Sequence, residues 1–111
     1  GYTEFTALDY FFANISAIEN NILSITIRPH PSEAKGKYNY LLKRYHHPIV
    51  IGGDNTLLEE LLKNDIVVGC ESMAMVIGLL AKRRVISVIP PEGHDCILPH
   101  SKIEHLKSLV N

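Results

Sequence analysis

The run Asp65-Ile66-Val67-Val68-Gly69-Cys70-Glu71-Ser72, continued by Met73 to Ala81 and then Arg84 to Pro90, leaves few folds open to this chain. Ile66, Val67 and Val68 are consecutive β-branched residues without alternation, the pattern of a parallel strand covered on both faces. Met73 to Ala81 is apolar on nearly every side, which predicts a helix packed inside rather than on the surface. Val85, Ile86, Val88 and Ile89 return as a second core strand, ended by Pro90-Pro91. The result is a βαβ unit, for which a right-handed crossover is expected. Gly69 to Ser72 falls where strand gives way to helix, a place of free backbone N–H groups and positive helix dipole.

The remaining segments repeat this alternation. Thr3 is placed to cap a first helix reaching about Asn20, with Phe5, Leu8, Phe12 and Ile15 as its stripe and Phe11 and Ile18 widening it. Asn21 to Arg28 reads as a strand, and Arg28-Pro29-His30-Pro31-Ser32-Glu33 leaves it stiffened by two prolines. Tyr38, Leu41, Leu42 and Tyr45 mark a second helix, and Ile49-Val50-Ile51 a short strand stopped by Gly52-Gly53. Thr56 and Glu59 match a capping box opening a third helix, whose apolar face is Leu57, Leu58, Leu61 and Leu62. Ser101 is expected to cap a last helix with Ile103, Leu106 and Leu109 facing inward. Strands alternating with helices mean an α/β domain with a mostly parallel sheet.

Composition narrows the partners. At 111 residues the chain suits one domain over 1–111, and 46% hydrophobic with 21% charged residues is ordinary for a globular protein. A net charge of −1 and no long basic run argue against nucleic acid. The longest apolar stretch is too short for a transmembrane segment, and no signal-peptide pattern opens the chain. Two cysteines without a framework spacing point to free thiols in the cytoplasm.

Ligands of open parallel sheets bind beyond the carboxyl ends of the strands. The four strand exits, Arg28 to Glu33, Gly52 to Asn55, Gly69 to Ser72 and Pro90 to His94, gather the polar, glycine and proline residues. At the third, the Ser72 hydroxyl with the N–H groups of Ser72 and Met73 suits a phosphate, Glu71 a sugar hydroxyl, and Gly69 a close backbone approach. Ser72 serving only as a helix cap is the competing reading. At the first, Arg28 offers a fork of donors, and His30 either donates a hydrogen bond or shuttles a proton. Gly52-Gly53-Asp54-Asn55 is either an ordinary turn or a backbone wall for a base, and Glu92 and His94 lie on a loop able to close over a ligand. The spacing of His94, Cys96 and His100 fits none of the strong zinc patterns. Cys70 lies near a helix start that lowers thiol pKa values, but no partner set follows it, so a structural role is expected. No Gly-x-Gly-x-x-Gly or Walker loop is present.

Arg28 to Glu33, Asp65 to Ser72 and Arg84 to Pro91 together resemble the C-terminal half of bacterial GT-B-type glycosyltransferases of surface-polysaccharide synthesis. In that half the family binds the nucleotide of a sugar-nucleotide donor. His30 falls on the His-Pro pair of sialyl- and polysialyltransferase-like and glycerophosphotransferase-like members, where the His meets donor phosphate. Ser32 follows it in the same loop. Ser72 matches the phosphate-contacting hydroxyl residue, and Glu71 lies near the family's ribose-binding acid. The expected fold is a Rossmann-like three-layer α/β sandwich with a four-stranded parallel sheet in order 2-1-3-4. The resemblance implies displacement at an anomeric carbon, with Arg28, His30 and the helix start stabilising the departing phosphate and no metal or other cofactor required. The family's half begins with a further strand and works with an N-terminal acceptor domain, so a piece of a larger two-domain protein, or a homo-oligomer, is expected. Two alternatives stay open. A nucleotide-sugar epimerase would draw its acids from Glu71, Glu92 and Asp54, and a non-catalytic interaction domain would use a sheet edge or apolar helix.

Overall fold

In the computed structural model, which describes residues 2–110, the chain runs α1 (Glu4–Ala13), a 3₁₀ turn (Ile15–Ala17), β1 (Ile25–Ile27), α2 (Leu41–Arg44), β2 (Ile49–Ile51), α3 (Leu57–Leu62), β3 (Ile66–Gly69), α4 (Met73–Leu80), β4 (Arg84–Ser87), β5 (Glu104–His105) and α5 (Leu106–Leu109). The architecture is α/β with parallel sheets throughout. The strands pair as two sheets, β1-β2 and β3-β4-β5, where one sheet of four was expected. Of the three neighbour pairs in the expected order 2-1-3-4, two are present, β1 with β2 and β3 with β4, and among the described residues no ladder joins β1 to β3. The chain divides into two compact units, residues 1–20 with 61–111, and residues 21–60.

In the first unit β3 and β4 run parallel from Ile66↔Arg84 to Gly69↔Ser87, and α4 packs across both. Gly78 makes that packing close. A Cβ there would lie 3.0 Å from Val67 Cγ2 and 3.2 Å from Val85 Cγ2, so the absent side chain sets the helix–sheet distance. Met75, Val85 and Ile103 form a buried cluster with Val67, Leu79 and Leu98 around it.

The all-apolar α4 nevertheless is not an interior helix. Met75 and Gly78 are buried, while Met73 is 66% and Leu80 79% exposed. One sheet covers one face of a helix, and within this unit nothing covers the opposite face at those two positions. Ile66 to Gly69 are likewise half-buried, because β3 is the outer strand of its sheet and β4 the central one. Residues 85–90 are buried throughout although strand geometry stops at Ser87.

The end of α4 is tightly closed. Lys82 adopts φ 60°, Lys82 N–H donates to Leu79 O at 3.0 Å and Arg83 N–H to Gly78 O at 2.9 Å, the paired bonds of a Schellman motif. Arg83 then spends its guanidinium on carbonyls, Nε to Leu61 O at 3.0 Å, Nη2 to Leu62 O at 3.3 Å and Nη1 to Ala81 O at 3.2 Å.

The segment expected as a last helix from Ser101 starts instead as β5, beside β4 through Ile86↔Glu104 and Ser87↔His105. Ile103 and Leu106 are three apart, which suits one helical face. Here Ile103 is buried before the strand and Leu106 opens the four-residue α5. The first helix starts at the expected cap, with Thr6 N–H donating to Thr3 Oγ1 at 3.2 Å and Thr3 N–H to Thr6 Oγ1 at 2.8 Å. It ends at Ala13 rather than near Asn20, because Asn14 leaves helical geometry and its Nδ2 donates back to Tyr10 O at 2.9 Å. Ala7, Phe11, Phe12, Ile15 and Ile18 are buried, whereas Phe5 is 40% exposed.

In the second unit β1 and β2 pair from Ile25↔Ile49 to Ile27↔Ile51. The first strand is shorter than the expected Asn21 to Arg28, and the helix around Tyr38 to Tyr45 shrinks to Leu41–Arg44 after a series of turns. Tyr38 and Leu41 are its buried side chains. The Thr56–Glu59 capping box is present, Glu59 N–H donating to Thr56 Oγ1 at 3.2 Å and Thr56 N–H to Glu59 Oε1 at 3.3 Å.

Candidate functional site

In the first unit the exit of β3 carries the turn Cys70-Glu71-Ser72 into α4. Ser72 is the N-cap residue, with φ −84° and ψ 160°, yet its side chain makes no capping hydrogen bond. The helix start therefore keeps an exposed hydroxyl beside N–H groups that no side chain caps, and its first turn holds no acidic residue. Met73, next along, is exposed. Gly69 leaves room for the core: a Cβ there would meet Met75 Cγ and Sδ, both at 3.1 Å.

Glu71 is held from two sides. His94 Nε2 lies 2.8 Å from its Oε1, and the Ile97 N–H donates to its Oε2 at 3.3 Å. The His94 hydrogen bond, then the Ile97 bond, lower the Glu71 pKa and keep the carboxylate ionised. The loop after β4 is thus tied to the turn after β3. The Tyr2 ring lies 5.8 Å from that of His94, and its edge fills the space that a Gly93 side chain would need. Burial first, and then the neighbouring Cys70, push the Tyr2 phenol up to about 12. Burial likewise raises the Cys70 thiol, only partly offset by its hydrogen bond to Tyr2. Near neutral pH Cys70 is a thiol, which fits a structural cysteine and not a nucleophile. Ser87 Oγ donates to Cys70 O at 2.9 Å and Val88 N–H to Gly69 O at 2.8 Å, so β4 fixes the backbone of the turn. Glu92 and His94 are exposed on their loop.

In the second unit the exit of β1 delivers Arg28 and His30. Arg28 is already engaged, with Nη1 on Asn55 O at 2.8 Å and in a salt bridge to Glu60. Gly52 exists for that carboxylate, since a Cβ there would collide with Glu60 Oε2 and Thr26 Cγ2. Gly53, at φ 106°, turns the chain so that its N–H reaches Glu60 Oε2 at 3.4 Å. His30 Nδ1 lies 2.7 Å from Ser32 Oγ and accepts the Ser32 N–H at 3.1 Å. Glu33 accepts the His30 N–H at 2.7 Å, Lys37 Nζ at 2.7 Å and the Tyr38 hydroxyl at 2.5 Å. Those bonds, led by Lys37 and Tyr38, hold its carboxyl at about 2.

The eight residues read as a nucleotide site thus fall into two groups. Gly69, Glu71, Ser72 and Met73 belong to the first unit, and Arg28, His30, Ser32 and Gly52 to the second. Sequence reasoning missed Tyr2, Glu33 and Glu60. The Glu33–Lys37 spacing of four was a usable signal for the second of these, whereas nothing in the sequence joins Arg28 to Glu60. Among the described residues no three His, Cys, Asp or Glu side chains are arranged to hold a metal ion, and no helix is long and apolar enough to cross a membrane. Comparison with protein-family models, curated proteins and solved structures gave no match to this chain.

Proposed function

We propose that this chain binds the nucleotide part of a sugar-nucleotide donor, as part of a cytoplasmic glycosyltransferase that builds a cell-surface polysaccharide. The observation that carries the reading is the start of α4, where the N-cap Ser72 is exposed and its hydroxyl is not used to cap the helix. An N-cap serine normally serves the helix, and one that does not is available to a phosphate oxygen alongside the helix N–H groups. Ionised Glu71 beside it is an acceptor for hydroxyl groups once it lets go of His94 or Ile97. His30 is a donor that the sequence resemblance adds for the phosphates, joined by Arg28 once it lets go of Glu60 and Asn55, and a Rossmann-like sandwich goes with the same resemblance. Transfer itself would need an acceptor-binding domain.

Calorimetric titration with UDP, CMP and GDP tests the reading. Binding of at least one nucleotide is expected, weakened about tenfold by Ser72→Ala or His30→Ala. Because Ser72 makes no capping bond, Ser72→Ala should leave stability within about 0.5 kcal/mol, whereas loss of a working cap costs about 1. No binding by any of the three nucleotides sinks the proposal.

A second reading rests on the outward Met73 and Leu80 of α4. As a docking face they would make this a non-catalytic interaction domain. Leu80→Lys, at the far end of α4 from Ser72, would then abolish partner capture, and none of the three nucleotides would bind the wild type.

A further inference from the structure

We infer that Glu33 is a positioning residue that fixes His30 as an Nε2–H hydrogen-bond donor and denies it the role of general base. A backbone N–H can only donate, so the Ser32 N–H at 3.1 Å makes His30 Nδ1 an acceptor. Neutral imidazole carries one ring proton, which therefore sits on Nε2. Ser32 Oγ, 2.7 Å from the same Nδ1, adds a second contact on that side of the ring. His30 is exposed, and Nε2 has no partner among the described residues. What the ring offers a ligand is one N–H and no free lone pair. It suits an anionic oxygen and cannot take a proton from an attacking hydroxyl.

Glu33 holds the frame in which this happens. Its own N–H donates to His30 O at 2.9 Å while its Oε1 accepts the His30 N–H at 2.7 Å, so the turn from His30 to Glu33 is closed in both directions. Its Oε2 is anchored by Lys37 and by the hydroxyl of the buried Tyr38. The Ser32 N–H is thereby aimed at the ring by a carboxylate tied to the unit's core, not by Ser32's side chain.

The ligand half of this inference rests on the nucleotide-donor reading, and the tautomer half does not. The full chain, labelled with 15N at histidine, is to be followed by NMR at a pH where His30 is neutral, with UDP as the titrated probe. Wild type is expected to show one tautomer, protonated at Nε2, and Ser32→Ala to keep it because the N–H remains. Glu33→Ala should give a tautomer mixture and about tenfold weaker UDP binding. His30→Gln places an amide NH₂ near the former Nε2–H and should bind UDP within about threefold of wild type, while His30→Asn loses about tenfold. Should Glu33→Ala fail to fold, Tyr38→Phe and Lys37→Met, which loosen Glu33 without touching the turn, should each shift the tautomer toward a mixture. An Nδ1–H tautomer in wild type, or one unmoved by any of these variants, overturns the inference. Wild type that ignores UDP, CMP and GDP alike yet shows the Nε2–H tautomer, lost without Glu33, removes the nucleotide reading and leaves the positioning role standing.

Discussion

Arg84 and Glu104 meet through two parallel hydrogen bonds on neighbouring strands, Nε to Oε2 at 2.7 Å and Nη2 to Oε1 at 3.0 Å. The remaining Nη1 of Arg84 donates to Ile18 O at 2.9 Å, so one guanidinium joins β4, β5 and the turn after α1. The bond to Arg84 lowers the Glu104 pKa, and the same bond raises that of Arg84. Solvent reaches 36% and 37% of the two side chains, which limits what the pair contributes. A double-mutant cycle between Arg84→Ala and Glu104→Ala should give a coupling of about 0.5–1 kcal/mol in urea unfolding. Arg84→Ala alone should cost about 1–2 kcal/mol, since it also strips a partner from Ile18 O. Arg84→Lys should recover little of this, because an ammonium cannot reproduce the fork.

Glu33 makes the acid limb of stability predictable. Its carboxyl is held at about 2 against an ordinary 4.5, so the unfolded chain takes up the proton first. The contribution is complete above 4.5 and is lost as the pH falls through 2. Glu33→Gln should flatten the pH dependence of unfolding in that interval, and an unchanged slope would rule out the clamp.

Tyr2 acts at the other extreme. With its phenol raised from 10.0 to about 12, the folded chain keeps the proton longer than the unfolded one. The contribution is intact below pH 10 and disappears as the pH climbs through 12. Absorbance titration should show a late-ionising component that Tyr2→Phe diminishes.

Lys82 pays for its place in the Schellman turn with φ 60°. Lys82→Gly should raise stability by about 1 kcal/mol and Lys82→Ala should not, because only glycine occupies that region without a Cβ penalty. Equal effects of the two changes in urea unfolding would remove backbone strain as the cause.

What could be read in the sequence was local. The capping box of Thr56 and Glu59 needs only a spacing of three, and the β-branched runs at Ile49–Ile51 and Ile66–Val68 announce strands by composition alone. The turn at Ser72 was legible for the same reason. Tertiary choices were not. Ile103 and Leu106 satisfy a helical period, yet pairing of Glu104 and His105 with β4 took the segment as a strand. The apolar α4 looked interior because composition does not say how many faces a neighbour covers. Arg28 and Glu60 lie 32 positions apart, and only the backbone of Gly52 and Gly53 brings them together.

Gly78 gives the site a fulcrum. With eight residues α4 is a rod of about 12 Å, and its seating on the sheet is decided where a single hydrogen atom faces Val67 and Val85. Bulk added at that point would pivot the rod, and the far tip, with Ser72, would swing by a comparable amount. A methyl group at the rear of the helix would thereby change the aim of its first amides and, if they bind a phosphate as proposed, weaken that binding from a distance.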